Sequence, residues 1–401
     1  MHGGIPWDGG ELGAWSDRVD GVEGGAEQGS EWVASVGAGR VVIGMPEAAQ
    51  VELWEGLGAS AGASAGLVLG TEGFGAAVAW SSGDLWVGQP ELGLDAGALS
   101  RFEGASGAAT TRILGEDGER LGATVRTCGD LDGDGVDDLV VGVPGFGGVT
   151  PAGTLAPRLA GAIGVVSGAG PPAGDIGIGA GSWIWGDESG AGLGAAFVCD
   201  VDIDGDGRVD LLVGLPWAGP DDVGAIVQVS PGPGPLSERT LRRMDGRVID
   251  GWFGRSLAAA DVDGDAVPDL LVGVPGASGG EGAVQWFSGA PWLVDEPLGR
   301  VVRTVRLPGA RHAGRELAVG DLDGDGRPEV LVGAPDTVID GDTDRGLAGL
   351  WSASAFSSGG PPDARIVGET PFARVGARPV LADLDGDGRA EVLLPLRAPA
   401  P

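Results

Sequence analysis

The sequence lacks several residue types on which common functions depend. It has no Lys, no Asn and no Tyr, only two histidines and two cysteines, and 5% aromatic residues among 401 positions. With 25 basic and 58 acidic residues, its net charge of −33 argues against a nucleic-acid partner, which needs a basic face. No apolar run approaches the roughly 18 residues of a membrane-spanning helix.

The two cysteines, Cys128 and Cys199, are too few for a disulfide framework. One bridge between them is an alternative, but the sequence favours two buried free thiols. The first residues, MHGGIPWDGG, contain neither the basic nor the apolar region of a signal peptide. The expectation is therefore either a cytoplasmic chain or one whose true start is missing.

Candidate catalytic residues are scarce. His2 lies in the N-terminal segment, and His312 lies in an RHAG stretch where a surface loop is expected. No Tyr is available as a general base, and no nucleophile elbow, phosphate-binding loop or zinc motif is present. These absences predict a protein that binds rather than catalyses.

Glycine is abundant, with 81 residues, and it is part of a motif that recurs along the chain. The motif consists of an apolar triplet, Gly, a variable residue and Pro. Short apolar runs bounded by turn residues indicate strands buried on both faces, and Pro ends a strand because it cannot donate to the ladder. The copies are VVIGMP (41–46), LWVGQP (85–90), LVVGVP (139–144), LLVGLP (211–216), LLVGVP (270–275), VLVGAP (330–335) and a decayed VLLPL (392–396).

Two further features complete each repeat. An apolar residue followed by Gly precedes the later motif glycines by 19 or 20 residues, as in Phe253–Gly254, and further apolar stretches such as AIVQV (225–229) follow most copies. Several strands in a repeat of about 60 residues, without a convincing helix, predict an all-β fold: a β-propeller of about seven blades.

Five of these repeats contain an inserted acidic loop between the apolar–Gly pair and the apolar triplet. The loops are DLDGDGVDD (130–138), DIDGDGRVD (202–210), DVDGDAVPD (261–269), DLDGDGRPE (321–329) and DLDGDGRAE (383–391). Aspartates on alternate residues repel one another unless a cation lies between them, and Ca²⁺ prefers six to eight oxygen ligands. The spacing offers side chains at positions 1, 3, 5 and 9 and the carbonyl at position 7, and so predicts about five Ca²⁺ ions.

The predicted metal ligands follow from these positions in each loop. They are Asp130, Asp132, Asp134, Val136 and Asp138; Asp202, Asp204, Asp206, Arg208 and Asp210; Asp261, Asp263, Asp265, Val267 and Asp269; Asp321, Asp323, Asp325, Arg327 and Glu329; and Asp383, Asp385, Asp387, Arg389 and Glu391. An EF-hand is excluded, because position 12 is apolar in all five copies and lies inside the predicted strand. Mg²⁺ and Zn²⁺ suit this ligand set less well.

The FG pairs (74–75, 253–254), the acidic loops and VGAP (332–335) resemble the FG-GAP repeats of the integrin α-subunit propeller over about residues 31–396. The resemblance implies seven blades, with calcium loops joining the first and second strands on one face and ligands bound on the other. Ala266, in place of the usual Gly, departs from the pattern and is expected to weaken the third site.

Residues 31–401 are expected to form the propeller, and residues 1–30 a Gly- and acid-rich segment. Because 397–401 are too few to complete the last blade, part of 1–30 around Leu12–Val19 is predicted to pair with it. A tail without structure is the alternative.

The face opposite the loops holds the candidate ligand-binding residues. Phe146 and Trp217 are candidate aromatic anchors, and Asp340, Asp342 and Asp344 repeat the alternate spacing of a further ion site or form a solvated acidic loop. Trp residues in the strands are expected to pack between blades rather than to stack on sugars.

The sequence thus predicts a calcium-binding propeller that binds a protein or glycan at the cell surface or outside the cell, where calcium is millimolar. Two alternatives stay open: a propeller-type polysaccharide lyase or other calcium-assisted hydrolytic enzyme, and a purely structural domain of a larger surface protein.

Overall fold

Strands dominate the computed structural model. It describes residues 33–394 except 38–39, 47–48, 56–62, 72, 105–107, 132–133, 151–152, 154, 169–173, 178–181, 204, 206, 231, 289–300 and 384–386. The segment 1–30 predicted to close the ring therefore lies outside the described residues.

The first three sheets, called blades 1 to 3, contain four, five and five strands. Blade 1 comprises β1 (Val33–Gly37), β2 (Arg40–Met45), β3 (Gln50–Glu55) and β4 (Ala63–Leu69). Blade 2 comprises β5 (Ala77–Ser81), β6 (Asp84–Gln89), β7 (Ala98–Glu103), β8 (Thr111–Leu114) and β12 (Gly174–Gly177). Blade 3 comprises β9 (Thr124–Thr127), β10 (Leu139–Val143), β11 (Ala162–Val166), β13 (Ser182–Trp185) and β17 (Gly234–Pro235).

The next three sheets, blades 4 to 6, contain four strands each. Blade 4 comprises β14 (Ala196–Val201), β15 (Asp210–Leu215), β16 (Ala225–Val229) and β18 (Thr240–Asp245). Blade 5 comprises β19 (Leu257–Ala260), β20 (Asp269–Gly273), β21 (Val284–Phe287) and β22 (Arg303–Val305). Blade 6 comprises β23 (Glu316–Gly320), β24 (Glu329–Ala334), β25 (Leu347–Trp351) and β26 (Ala364–Val367).

The all-β propeller is confirmed, but seven complete blades were too many. The described residues form six blades and a seventh sheet of only two strands, β27 (Val380–Ala382) and β28 (Glu391–Leu393). Strand β27 lies beside β23 on one side and β1 on the other. The decayed motif VLLPL supplies β28, and the segment that was predicted to complete this sheet lies outside the described residues.

The first four strands of each blade pair antiparallel, because each hairpin returns the chain beside the strand before it. The fifth strands of blades 2 and 3, β12 and β17, pair parallel with β8 and β13. The predicted motif strands are the second strands, and β10 and β24 are buried along their whole length. Helical structure in the described part of the chain consists of short turns: α1 (Leu92–Asp95), α2 (Leu236–Arg239), α3 (Ala277–Gly280), α4 (Ala353–Ser358) and the 3₁₀ turn Pro220–Asp222. None of the described helices has the length and apolar character that crossing a bilayer requires.

Apolar clusters fill the spaces between neighbouring sheets. Trp86, Trp183, Trp286 and Trp351 are all buried in these clusters, which confirms that they pack between strands and sheets. Burying a large aromatic ring contributes roughly 1.5–3 kcal/mol or more to folding, so these four rings are part of the stability of the propeller.

The Gly of the strand motif and the Gly of the apolar–Gly pair lie in contact where neighbouring blades join. A Cβ on the motif Gly273 would lie 1.9 Å from the carbonyl oxygen of Gly314 in the next blade, and one on Gly333 would lie 2.0 Å from that of Gly376. Gly314 and Gly376 in turn have φ values of 81° and 87°, which side chains rarely adopt. Close backbone contact between blades therefore explains both glycines of the repeat.

Replacing Gly273 by Ala should lower the free energy of unfolding by about 1–3 kcal/mol, because the added methyl group cannot fit without shifting a backbone carbonyl. Denaturant titration would measure the loss. Gly360→Ala is the matched control, because its nearest neighbour would lie 3.5 Å from the new Cβ. Equal stability of the two variants would contradict this account of the junction.

The cysteines form a disulfide, and the prediction of free thiols is wrong. Cys128 follows β9 of blade 3, Cys199 lies in β14 of blade 4, and their Cα atoms are 5.2 Å apart. The inner strands of adjacent blades bring together residues that are 71 positions apart in the chain. The bond therefore links two blades covalently at their inner edges.

Candidate metal loops and the opposite face

All five acidic loops connect the first strand of a sheet to its second. They follow β9, β14, β19, β23 and β27, so they lie at the same edge of five consecutive sheets. Blade 2 has only Ser82 and Gly83 at this place, as the short spacing in its sequence predicted.

The loop at 261–269 is held in shape by its own backbone. Asp261 accepts hydrogen bonds from the N–H groups of Gly264 at 2.6 Å and Asp265 at 3.1 Å through Oδ1, and from that of Ala266 at 2.8 Å through Oδ2. Asp269 accepts one from Val262 at 2.8 Å. These bonds wrap the chain around the first carboxylate of the loop.

The same pattern recurs in the other loops. Asp321 accepts from the N–H groups of Gly324 and Gly326, both at 2.8 Å, and Glu329 accepts from Leu322 at 2.8 Å. The carboxylate at position 1 accepts the equivalent N–H bond in the other three loops, from Gly135 to Asp130, from Gly207 to Asp202 and from Gly388 to Asp383. The carboxylate at position 9 accepts its bond in the first two loops, from Leu131 to Asp138 and from Ile203 to Asp210. All five segments thus share the hydrogen bond from the N–H of position 6 to the carboxylate of position 1.

Carboxylate oxygens converge in the two loops that are described completely. Oxygens of Asp261, Asp263 and Asp269 lie within 4.8 Å of one another, and so do those of Asp321, Asp323 and Asp325. An oxygen-only set of this kind fits a hard divalent cation such as Ca²⁺, which would neutralise the carboxylates and hold the loop.

The electrostatics of Glu329 support the same conclusion. Burial raises its pKa to about 7; the N–H of Leu322 opposes the shift, and the charges of Asp323, Asp321 and Asp325 add to it. A carboxylate that gains a proton near neutrality in the absence of metal is one that a cation would stabilise in its charged form.

We expect the metal-free protein to lose stability as the pH rises from about 4.5 to about 7. Glu329 has a raised pKa in the folded state, so the folded state binds more protons than the unfolded state in this range, and the free energy of unfolding falls by about 1–2 kcal/mol. Denaturant titrations in EDTA at pH 5 and pH 7.5 would measure the difference. The slope should shrink in Glu329→Gln; an unchanged slope in that variant would contradict the assignment.

Some predicted ligands have no described position: Asp132, Asp204, Asp206 and Asp385 lie outside the described residues. Ala266 has a φ of 66°, so the third loop keeps the left-handed turn that Gly adopts at this position elsewhere, at a conformational cost of about 1 kcal/mol. The carbonyls of Val136, Arg208, Val267, Arg327 and Arg389 remain predicted ligands.

Position 7 of the acidic loops has a second role that was not predicted from the sequence. The guanidinium of Arg327 donates to the carbonyl oxygen of Asp263 in the preceding loop at 3.2 Å, and the side chain of Arg389 lies against Gly324. Basic residues at this position in three of the five loops were the available signal. Arg327 and Arg389 thus each contact the preceding acidic loop.

At the opposite end of the strands, the structure corrects one candidate anchor. Phe146 is 1% exposed and packs in the apolar cluster between blades 2 and 3, so its ring is not available to a ligand. Trp217 is 37% exposed and lies over Gly192. In the acidic loop, the guanidinium of Arg345 lies 3.1 Å from Asp340 and 3.8 Å from Asp342, which supports the solvated-loop alternative.

A cluster of opposite charge lies at this same end. Asp336 follows β24, and its carboxylate contacts Nδ1 of His312 at 2.9 Å, Nη1 of Arg315, and Nη2 of Arg374 at 3.5 Å. Burial raises the pKa of Asp336, but the hydrogen bond from His312 and the charges of Arg315 and Arg374 outweigh it and lower the pKa below its usual value. The carboxylate therefore holds three basic side chains in one place.

Comparison with known proteins agrees with the repeat pattern. The FG-GAP repeat family matches residues 121–156, 253–285 and 313–348. Human integrin alpha-IIb is 32% identical over 152 residues, mouse integrin alpha-X 34% over 167, and Drosophila melanogaster integrin alpha-PS2 35% over 150. These alignments cover 36%, 39% and 33% of this chain.

The same alignments span 14%, 14% and 11% of those integrin chains, so the similarity concerns one part of much longer proteins. Among solved structures, the chain resembles Kuenenia stuttgartiensis hydrazine synthase with a TM-score of 0.51 and 12% identity, over 94% of this chain and 99% of that one. At this identity the likeness concerns the fold alone.

Proposed function

We propose that this FG-GAP-repeat, integrin α-like β-propeller is a calcium-dependent binding module for a protein or glycan ligand, acting at the cell surface or outside the cell. The observation that carries the proposal is the same hydrogen bond, from the N–H of position 6 to the carboxylate of position 1, in five loops on consecutive sheets. The carboxylates converge in the two loops that are fully described. In each loop, the carboxylates at positions 1, 3, 5 and 9 would hold the ion.

The bound ion would be structural. It would neutralise the repulsion between aspartates and hold the first two strands of these five sheets in register, on the face that carries no candidate ligand residues. Weak calcium sites fill only where calcium is millimolar, and disulfides persist in oxidising compartments. Both the acidic loops and the bond between Cys128 and Cys199 therefore favour an extracellular setting.

The ligand would bind the opposite face, where the segments between second and third strands are long and varied. They include residues 145–161, 217–224 and 336–346. A face made of loops on a rigid ring suits binding, because the ring fixes the positions of the loops and the loops tolerate sequence change. On this face, the exposed ring of Trp217 is the proposed aromatic contact for the ligand.

A retention assay tests the proposal. The purified chain would be passed over arrays of immobilised glycans and extracellular-matrix proteins with 2 mM calcium and again with EDTA. We expect calcium-dependent retention on at least one surface, weakened in Trp217→Ala and unchanged in Leu241→Ala, which removes an exposed side chain at the calcium-loop end of β18. Absence of retention on every surface would favour the structural-domain alternative.

The lyase alternative has one specific observation in its favour: the contact between His312 Nδ1 and Asp336, which resembles an oriented general base. Incubation with uronic-acid polysaccharides separates the alternatives. Release of unsaturated sugars that is lost in His312→Gln would establish a lyase, whereas binding without product release supports the module.

A further inference from the structure

The connection between β8 and β9, at the junction of blades 2 and 3, contains a buried carboxylate. Glu119 lies two residues before the apolar–Gly pair at 121–122 and is 2% exposed. In the later repeats the corresponding residues are Ala191, Gly251, Arg311 and Ala373. None of these four is acidic, and the two alanines are buried as Glu119 is. A carboxylate at this buried position is costly unless it has partners.

Only one oxygen of this carboxylate has a partner. Oε2 of Glu119 accepts a hydrogen bond from the N–H of Glu116 at 2.7 Å, within the same turn. Oε1 is buried and has no hydrogen-bond partner among the described residues. Because a buried carboxylate oxygen without a donor or a cation raises the free energy of the folded state, Oε1 points to a ligand that comes from solution.

The unpartnered oxygen faces Gly148, in the segment that follows β10. A Cβ on Gly148 would lie 3.1 Å from Oε1 of Glu119 and 3.5 Å from Oε2 of Glu116, so two carboxylates border the same point. A second glycine brings the two segments together, since a Cβ on Gly145 would lie 2.3 Å from the carbonyl oxygen of Gly118. The side chain that would fill the point between the carboxylates is therefore absent.

We propose that Glu116 and Glu119 bind a divalent cation of the Mg²⁺ class beside Gly148. Mg²⁺ is held in proteins by one or two carboxylates and keeps several of its waters, and the exposed position of Glu116 leaves one side of the site open to water. Ca²⁺, which takes six to eight oxygens, suits the acidic loops better. The ion would tie the turn at 116–119 to the start of the 145–161 segment on the proposed ligand face.

Manganese is the probe, because it takes the same oxygen ligands as Mg²⁺ and its free form is measured directly by electron paramagnetic resonance. The full chain in 2 mM calcium would be titrated with Mn²⁺. Glu119→Gln and Gly148→Ala should each bind about one Mn²⁺ fewer per chain than the parent. Gly148→Ala is the sharper variant, because it keeps both carboxylates and fills the point between them with a methyl group.

Asp117→Asn is the matched control, because Asp117 is an exposed carboxylate in the same turn. It should bind as much Mn²⁺ as the parent does. Melting curves in calcium would establish that the variants are folded, and Glu116→Gln, a change at an exposed position, takes the place of any variant that is not. An equal loss in Asp117→Asn, or no loss in Gly148→Ala and Glu119→Gln, would overturn the site.

Anomalous diffraction from crystals soaked in manganese would locate the ion. A peak that contacts both Glu116 and Glu119 would support the proposal. A water molecule there, or a calcium ion that manganese does not replace, would overturn a site of the Mg²⁺ class. The result is independent of calcium-dependent retention on the arrays, so this site and the proposed function can fail separately.

Discussion

Removal of calcium should lower the melting temperature of the protein by roughly 10 °C. Sites with a dissociation constant of about 0.2 mM, which 2 mM calcium exceeds about tenfold, contribute about 1.4 kcal/mol each, and five of them contribute about 7 kcal/mol to a chain of this size. Calorimetry in 2 mM calcium and in EDTA would measure the shift. Superimposable melting curves in the two conditions would refute the calcium proposal.

The double variant Asp263→Asn and Asp323→Asn separates the ion from the loop. Burial raises the pKa of Asp263, as do the charges of Asp265 and Asp261, so in EDTA a neutral side chain should leave stability equal or higher. In calcium the same variant should be less stable than the parent, because two sites lose a charged ligand. Asp250→Asn, an exposed residue outside the loops, should change neither melting temperature.

Reduction of the disulfide should lower the free energy of unfolding by about 2–4 kcal/mol. The bond between Cys128 and Cys199 closes a long loop and ties two blades together at their inner edges, so breaking it enlarges the unfolded ensemble and frees the junction. Denaturant titration with and without reductant would measure the loss.

The double variant Cys128→Ala and Cys199→Ala is the control for the reductant. It should be destabilised to a similar extent and should not respond to reductant at all. Free thiols in the unfolded, unreduced protein from an oxidising expression host would show that the bond does not form, and would restore the interpretation of the two cysteines as buried thiols.

The strands and acidic loops could be predicted because their signals are local. VLVGAP at 330–335 became the buried second strand of blade 6, and the loop at 321–329 lies between its first two strands. The buried state of Phe146 could not be predicted, because only the packing of blade 2 against blade 3 decides whether this loop aromatic points outwards or into the core. The number of strands in the seventh sheet could not be predicted either, because it depends on which distant segments pair with β27 and β28.

Sequence alone determined the repeat, its strands and the alternate aspartates, since each depends on residues within a few positions of one another. Tertiary structure decided which distant residues meet: Cys128 with Cys199, Gly273 with Gly314, and Asp336 with its three basic partners. The physical reason is that blade-to-blade contacts join residues that are far apart in the chain, and their geometry is fixed only when the sheets pack around the ring.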